Sequence, residues 1–407
     1  MASQINIICD EAISSPAKYF GSLREETPVI WDENSKSWLV TSYQAITDAL
    51  QNDAFSSDRI VPYIQKKLSG DDVDPLTRQA FDVLAKWLVF QDNPGHARLR
   101  VLVNKAFTAR SVSRLRDRVE SLCESLMDNV PATGEFDLMA TVAAPLPSIV
   151  IAELLGVPIE DRERFEGWTA LVAPLVSGGF QTPERYDRIA KGMDELLTYF
   201  RGLVEHYKKS PKENLISELI AAREADDTLS EIELLATCTL ILFGGHETTA
   251  NLIGNAILAL LNAPDQFQAL KNDRVTGIQA IEECLRYGGP GKAVTRVMKE
   301  DIEFYGQQLR KGDRAFLILA AGNRDPSVFD EPEQLILDRV FPKRHLAFGS
   351  GVHFCMGAQL ARLEASIVVP MIVKRFPNLA RTDKPLQYMP VLLTYGQSAL
   401  YLRAGGE

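Results

Sequence analysis

One cysteine, Cys355, stands between a glycine-rich stretch and an apolar periodic segment. Gly349 and Gly351 precede it, and Gly357 follows it by two residues. From Leu360 onward apolar residues recur at helical spacing, so the sequence predicts a loop that delivers Cys355 to a helix N-terminus. Backbone N–H groups and the helix dipole favour a thiolate there, and the thiolate is the form that binds metal. Alone, such a cysteine is more often a small buried apolar residue.

A second group of polar residues interrupts a long apolar helix that the sequence predicts from about Ser230 to Leu261. Two adjacent glycines, Gly245 being the second, each cost about 1 kcal/mol relative to alanine in a helix. Glu247 places a charge in this apolar segment, and the Thr248 hydroxyl can bond the carbonyl four residues back and open the helix. A simple packing notch is the structural alternative.

Two basic side chains, His96 and Arg100, lie four residues apart and share one face of a predicted helix. Asp92 or Asn93 is the expected N-cap, with Pro94 at the first helical position. An imidazole and a guanidinium together suit a partly buried carboxylate. A solvated charged face is the alternative.

A glutamate and an arginine, Glu283 and Arg286, lie three residues apart on a helix predicted over Ile278–Tyr287. As a surface pair they would contribute well under ~1 kcal/mol, so the pair alone is a weak signal. The segment that follows, Ala293–Val297, predicts a strand and carries Arg296.

The run from Phe348 to Gly357 resembles the haem-binding loop of the cytochrome P450 superfamily, with the pattern Phe-Gly-x-Gly-x-x-x-Cys-x-Gly. It matches at every fixed position. The resemblance implies that the cofactor is heme b (iron protoporphyrin IX) and that Cys355 is the axial thiolate ligand of its iron. Phe348, Gly349 and Gly357 are then loop residues that contact the haem.

The interrupted helix is similar to the oxygen-activating groove of the same superfamily, with the pattern (Ala/Gly)-Gly-x-(Asp/Glu)-Thr. Gly245 is the second residue of that pattern, and the resemblance implies that it contacts the haem. The resemblance implies that Thr248 holds dioxygen and an ordered water, while Glu247 relays protons from solvent.

Two further sets of residues take their roles from this resemblance. The haem propionates are expected to contact basic side chains, namely His96, Arg100, Arg296 and His353, with His345 a weaker candidate. A buried structural triad behind the Cys loop is expected from Glu283, Arg286 and Arg339.

Bulk properties exclude several classes of protein. The formal net charge of the 407 residues is −10, which argues against nucleic-acid binding. The N-terminus has no basic region and no signal-like apolar stretch, and no run approaches the ~18 apolar residues of a spanning helix. The five scattered cysteines fit a reducing compartment, and we expect four of them in the core. These features predict a cytoplasmic protein without membrane insertion.

The resemblance also implies the architecture: a mainly α protein with small β-sheets (α+β), with the haem between the oxygen-groove helix and the Cys-ligand helix. Residues 1–407 are expected to form one haem domain, without a fused reductase or ferredoxin, and a monomer. Helices over 160–176 and 183–208, with the loop Val176–Pro183, are expected to form a mobile lid over the pocket.

The expected activity is insertion of one oxygen atom of O2 into a lipophilic small molecule, with electrons from an external ferredoxin and an NAD(P)H-dependent ferredoxin reductase. A peroxide-driven peroxygenase and a non-catalytic haem sensor or carrier are the alternatives. Lys292 hints at a polar or anionic group in the substrate, although lysines usually face solvent. Basic residues expected to dock the ferredoxin, unless they are ordinary surface charge, are Arg100, Lys105, Arg110, Lys343, Arg344 and Arg362.

Overall fold

A computed structural model describes residues 5–67, 73–161, 164, 167–168, 183–224 and 227–405 of the chain. Helices predominate and the sheets are small, which confirms the predicted α+β class. The chain forms two compact units from alternating stretches of sequence. The first unit contains Met1–Phe55, Val112–Pro147 and Glu247–Glu407, and the second contains Ser56–Ser111 and Ser148–His246. The helix expected over 160–176 and the loop Val176–Pro183, both parts of the expected lid, lie largely outside the described residues.

The helices are numbered in chain order. They are α1 (Asp10–Ser14), α2 (Pro16–Arg24), α3 (Tyr43–Gln51), α4 (Ile60–Lys67), α5 (Pro75–Leu84), α6 (Gly95–Ala106), α7 (Ala109–Ser113), α8 (Arg116–Met127), α9 (Pro145–Leu155), α10 (Pro183–Lys209), α11 (Leu215–Ala221), α12 (Glu231–Gly245), α13 (Glu247–Leu261), α14 (Pro264–Lys271), α15 (Gly277–Gly288), α16 (Leu319–Gly322) and α17 (Ala358–Arg375). A π-helical turn spans Met139–Ala143, and a 3-10 turn spans Gly351–His353.

The strands are short and are likewise numbered in chain order. They are β1 (Val29–Asp32), β2 (Ser37–Val40), β3 (Phe55–Ser56), β4 (Gly134–Asp137), β5 (Arg223–Glu224), β6 (Asp227–Thr228), β7 (Val294–Met298), β8 (Ile302–Phe304), β9 (Gln307–Leu309), β10 (Arg314–Leu317), β11 (Ala380–Arg381), β12 (Gln387–Tyr388), β13 (Gln397–Ala399) and β14 (Tyr401–Ala404).

The main sheet of the first unit places β1, β2, β10 and β7 side by side. The first two strands form a hairpin, with Val29 opposite Val40 and Asp32 opposite Ser37. Strand β10 runs parallel to β2 and antiparallel to β7, and Ala315 lies opposite Arg296. Buried side chains of these strands and of α3 form one hydrophobic core, so the strand that carries Arg296 is held on a packed surface.

Three helices of the first unit, α13, α15 and α17, pack against one another. Helix α15 begins with a capping box, in which Thr276 and Gln279 satisfy each other's backbone N–H groups. Most of α13 is buried on all sides, from Thr249 to Leu260. An all-round apolar helix of this kind belongs in a core, and here it packs on the helix that follows Cys355.

In the second unit the 27-residue helix α10 packs against α5 and α12. Helix α12 begins with a capping box formed by Ser230 and Glu233. The same carboxylate binds the Arg98 guanidinium of α6, with Nη1 to Oε1 at 2.8 Å and Nη2 to Oε2 at 3.1 Å. A single glutamate therefore both starts α12 and fixes α6 to it.

Several predicted bounds are close, and the predicted start of α6 is wrong. Helix α15 and strand β7 lie within one residue of their predicted bounds, and the helix expected from Ser230 to Leu261 has its predicted ends, with the expected opening at His246. Helix α6 begins at Gly95 and Pro94 is its N-cap, without a side-chain cap. The Asp92 carboxylate instead accepts hydrogen bonds from Ser56 Oγ at 2.6 Å and Ser57 N at 2.9 Å. No helix within the described ranges is long and apolar enough to cross a membrane.

Candidate active site

The loop before Cys355 depends on two glycines. Gly349 and Gly351 have φ values of 69° and 70°, a region that other residues adopt only with strain. A Cβ on Gly351 would also lie 3.1 Å from the Leu50 carbonyl oxygen. The turn is closed by the Cys355 amide, which donates to the Phe348 carbonyl at 2.9 Å. Both glycines are therefore required by the positive φ values of this loop.

Cys355 lies three residues before α17, whose N-cap is Gly357. Gly357 is thus the start of the helix and not a residue one turn inside it, as its position in the motif suggested. The cysteine carbonyl still accepts from the Ala358 amide at 3.4 Å, so the thiol belongs to the N-terminal end of this helix. Orphan N–H groups and the helix dipole act on a thiol in that position.

Exposure separates Cys355 from the other cysteines. Of the five, only Cys355 is exposed, whereas Cys123, Cys238 and Cys284 are buried. Burial raises the pKa of the Cys123 and Cys238 thiols to about 12, so both stay protonated and do not act as ligands. Cys9 is half-buried, against the prediction that it lies in the core, and its Sγ caps α1.

The apolar helix is interrupted where the sequence predicted an opening. Helix α12 ends at Gly245, α13 begins at Glu247, and His246 between them has φ −100° and ψ −51°. The His246 ring Nδ1 lies 3.2 Å from the Leu242 carbonyl oxygen, so the last turn of α12 is closed by a side chain. Glu247 receives a hydrogen bond of 3.5 Å from Thr394 Oγ1.

The two glycines at this break differ in their surroundings. A Cβ on Gly245 would lie 2.8 Å from Cδ1 of Ile151, so this glycine gives room to a packed side chain. A Cβ on Gly244 would meet no atom of the described residues within 4 Å. The packing alternative therefore accounts for Gly245, and open space adjoins Gly244. The role of Gly245 toward a haem stays a prediction.

The basic pair on α6 is close enough to interact electrostatically. His96 is buried, and burial followed by the positive charge of Arg100 lowers the pKa of the imidazole. A buried anion beside this pair would be favoured, because it would compensate the guanidinium. The Arg98 bond to Glu233 described above was not foreseen; an arginine between two site residues was its only sequence signal.

The other two predicted basic residues lie in the first unit. Arg296 is buried on β7, and its Nη1 donates to the Thr295 carbonyl at 2.9 Å. His353 ends the 3-10 turn two residues before Cys355 and is half-buried. His345, the weaker candidate, points elsewhere: its Nε2 lies 3.3 Å from Glu282 Oε2.

Glu283, Arg286 and Arg339 form a connected buried group. Arg286 binds both carboxylate oxygens of Glu283, at 2.7 and 2.8 Å, and the side chains of both are 0% exposed. Arg339 Nε lies 3.1 Å from each of the same oxygens. The Ile336 amide adds a hydrogen bond of 2.9 Å. The carboxylate is thus held by two guanidinium groups and one backbone amide.

Lys292 does not face solvent. It is fully buried, and its Nζ donates to the Val391 carbonyl at 2.8 Å and lies 3.4 Å from the Ala12 carbonyl. Burial lowers the pKa of its ammonium group to about 8. The expectation that this lysine follows the usual preference for solvent was wrong, because two carbonyl acceptors replace water around the amine.

Glu364 on α17 is a buried carboxyl group whose burial raises its pKa well above the usual value. Its Oε2 has no hydrogen-bond partner among the described residues. A folded pKa above the unfolded one gives stability that is fully present below the unfolded pKa and is lost as the pH rises through the folded pKa.

We expect Glu364→Gln to have a higher melting temperature than the parent protein at pH 8 and the same melting temperature near pH 4. Thermal unfolding at both pH values measures this, and exposed Glu300→Gln is the control; a variant that melts lower at pH 8 contradicts it.

The donor set fits a haem. Cys355 offers an exposed sulfur at a helix start. Beside it, a Cβ on Gly349 would meet no described atom within 4 Å, so the loop presents its backbone to open space. Arg296 and His353 in the same unit supply donors that suit carboxylates. A thiolate, a glycine that leaves open space beside the loop backbone, and carboxylate-binding groups are what a haem with two propionates requires.

Comparison with known proteins places these features in a family. A family model for cytochrome P450 matches residues 25–398. Cytochrome P450 107B1 of Saccharopolyspora erythraea is 39% identical over 375 residues, which cover 91% of this chain and 89% of that protein. Cytochrome P450 monooxygenase PikC of Streptomyces venezuelae is 36% identical over 399 residues, covering 96% and 91%.

A solved structure shows the same fold. The crystal structure of P450BioI in complex with hexadec-9Z-enoic acid ligated to acyl carrier protein has a TM-score of 0.87 and 32% identity, covering 96% of this chain and 98% of that one. Fold and relatives together define a haem-dependent oxidoreductase. The chain belongs to the cytochrome P450 family, and it is a monooxygenase with a haem cofactor.

Proposed function

We propose that residues 1–407 form a single cytoplasmic haem domain that binds heme b through Cys355 and inserts one oxygen atom of O2 into a lipophilic small molecule. The observation that carries this proposal is the exposed Cys355 in a positive-φ glycine loop at the start of α17. A haem bound there supplies the activation of dioxygen and the oxidant for the substrate.

The chain itself supplies binding and orientation. The Cys355 thiolate is the ligand, favoured by the N-terminal end of α17. Arg296 and His353 are proposed to bind haem propionates, and the propionate role expected for His96 and Arg100 stays a prediction. Phe348, Gly349 and Gly357 shape the loop so that its backbone lies close to the macrocycle.

Proton delivery is proposed for Glu247 and Thr248, at the start of α13. Cleavage of an O–O bond consumes protons, and a carboxylate with a hydroxyl beside it can pass them from solvent. Glu247 and Thr248 are both half-buried, so this helix start is not fully closed to solvent. The contact of Thr394 with Glu247 is suited to hold the carboxylate in one place.

The substrate is proposed to be a terpenoid, steroid, fatty acid or polyketide. Family membership supports a lipophilic substrate. The proposed wall in the first unit consists mainly of apolar residues, namely Val294, Val297, Val391 and Leu392. Lys292 contributes to this wall only through its bond to the Val391 carbonyl, so it is not proposed to bind a substrate anion.

Electrons are proposed to come from a separate ferredoxin and an NAD(P)H-dependent ferredoxin reductase, with the protein acting as a monomer. Lys343 and Arg344 lie in an exposed segment before the Cys loop. Lys105 and Arg110 are exposed in the other unit. Exposed cations of this kind can steer an acidic partner.

The carbon monoxide difference spectrum of the dithionite-reduced protein tests the proposal. A strongly red-shifted Soret band is expected for a thiolate ligand; a band typical of histidine ligation, or no haem band, contradicts it. Turnover with NAD(P)H, ferredoxin and reductase should exceed turnover with peroxide, and the reverse would favour a peroxygenase. Absence of oxygen-dependent NAD(P)H consumption with a broad substrate panel would favour a sensor or carrier.

Thr248→Ala is expected to uncouple the reaction. Without the hydroxyl, proton delivery no longer favours cleavage of the O–O bond. NAD(P)H consumption therefore continues while product falls and hydrogen peroxide rises, and we expect the product-to-peroxide ratio to fall by about 10²-fold or more. Product and peroxide per NAD(P)H are measured in parallel. Thr249→Ala removes a neighbouring buried hydroxyl and should stay coupled. Full coupling in Thr248→Ala would mean that the proton path lies elsewhere.

A further inference from the structure

A second carboxylate on α15, Glu282, adjoins Glu283 in sequence but has different partners. Arg362 of α17 binds it with two nitrogens, Nε toward Oε1 and Nη2 to Oε2 at 3.1 Å. His345 Nε2 lies 3.3 Å from Oε2. These three residues, here called the Glu282 clamp, join α15, α17 and the segment that leads into the Cys loop.

The clamp acts on the Cys loop through one aromatic ring. The Arg362 guanidinium carbon lies 4.5 Å from the centre of the Phe348 ring, and the His345 ring centre lies 6.0 Å from it. The carbonyl of Phe348 accepts the hydrogen bond from the Cys355 amide at 2.9 Å. The residue on which Arg362 stacks is therefore the one that holds the backbone of Cys355.

The charges of the clamp are partly withdrawn from solvent. The side chains of Arg362 and Glu282 are 16% and 28% exposed. Burial alone would raise the pKa of Glu282, but the hydrogen bonds and positive charges of His345 and Arg362 lower it to about 2. The carboxylate is ionised at neutral pH, and it compensates the guanidinium at the Cys loop.

We propose that Glu282 and Arg362 are positioning residues for the Cys355 thiolate, and that their paired charges set the reduction potential of the haem it ligates. The inference rests on the proposed haem ligation by Cys355. It removes Arg362 from the cations expected to dock a ferredoxin, because its guanidinium is already bound to Glu282 on one edge and covers Phe348 with its face.

The two charges should act in opposite directions. Reduction adds one negative charge to the haem, so a nearby uncompensated positive charge favours the reduced state and a negative one opposes it. Glu282→Gln leaves the guanidinium uncompensated and should shift the potential upward. Arg362→Gln leaves the carboxylate without its guanidinium partner and should shift the potential downward. The double variant removes both charges and should return close to the parent.

Spectroelectrochemical titration of the four holoproteins tests this. Lys374→Gln is the matched control, because it removes a cation paired with Asp273 at the other end of the same helix. Twelve residues of helix separate it from Arg362, roughly 18 Å, which exceeds the screening length at physiological salt. We expect opposite shifts in the two single variants and none in the control.

Three results overturn the inference. Unchanged potentials in both single variants, with the red-shifted carbon monoxide band intact, contradict it while leaving the proposed function standing. Loss of haem by both single variants and the double variant would mean that the Glu282 clamp only stabilises the fold. A weaker salt dependence of reduction by ferredoxin in Arg362→Gln, with an unchanged potential, would mean that Arg362 docks the ferredoxin. A parent protein without the thiolate spectrum contradicts the proposed function instead.

Discussion

Replacement of Cys355 by alanine is expected to abolish the red-shifted Soret band of the reduced carbon monoxide complex. The reason is chemical: the band requires a thiolate opposite carbon monoxide, and the other four thiols are buried or half-buried. We expect any haem that remains bound to give a spectrum typical of other ligation, and oxygenase activity to fall to background.

Cys123→Ala is the matched control for that variant. Its thiol is buried and its pKa is raised to about 12, so it should affect packing only and keep the band position. Difference spectra of the two variants and the parent, at equal protein concentration, make the measurement. A full-intensity band at the parent wavelength in Cys355→Ala would contradict thiolate ligation by this residue.

Glu283→Ala is expected to yield haem-free or unfolded protein. The substitution leaves the guanidinium groups of Arg286 and Arg339 facing each other without the carboxylate, in a region where Arg286 is 1% exposed. Removing one partner of a buried ion pair costs about 3–5 kcal/mol. Since a domain is typically stable by about 5–15 kcal/mol, this loss is large.

Haem content per chain and denaturant unfolding measure the effect of Glu283→Ala. Glu333→Gln is the control, because its carboxylate binds Arg324 but is 61% exposed, so solvent screens its charge, and Arg324 keeps its hydrogen bonds to the Tyr287 carbonyl. Three carbonyls, those of Asn323, Pro332 and Gln334, still accept hydrogen bonds from Arg286 in the variant. Normal haem content with parental stability would contradict the assigned role of Glu283.

The elements that the sequence predicted well are those with local causes. Helix α15 and strand β7 follow from the local pattern of their residues, and each lies within one residue of its predicted bounds. The Cys loop could be predicted in detail because two of its glycines must adopt positive φ, which leaves a mark in residue type.

What the sequence did not predict depends on contacts between distant residues. Asp92 could have capped α6, and only the fold shows that Ser56 and Ser57 donate hydrogen bonds to its carboxylate oxygens instead. The sequence predicted Arg362 to be a surface cation because its partner Glu282 lies 80 residues away in the chain. It predicted a solvent-facing Lys292 because the acceptors of this lysine are the backbone carbonyls of Ala12 and Val391, and every residue type carries a carbonyl.

The exposure of Cys355 has a consequence for the chain before it holds a haem. An accessible sulfur near helix N–H groups is the one most readily oxidised to a sulfenic acid or captured in a mixed disulfide. Neither product can ligate iron, whereas the buried thiols of Cys123, Cys238 and Cys284 are protected by the fold. The proposed ligation by Cys355 therefore requires a reducing environment until haem binds, and haem binding would compete with oxidation for this sulfur.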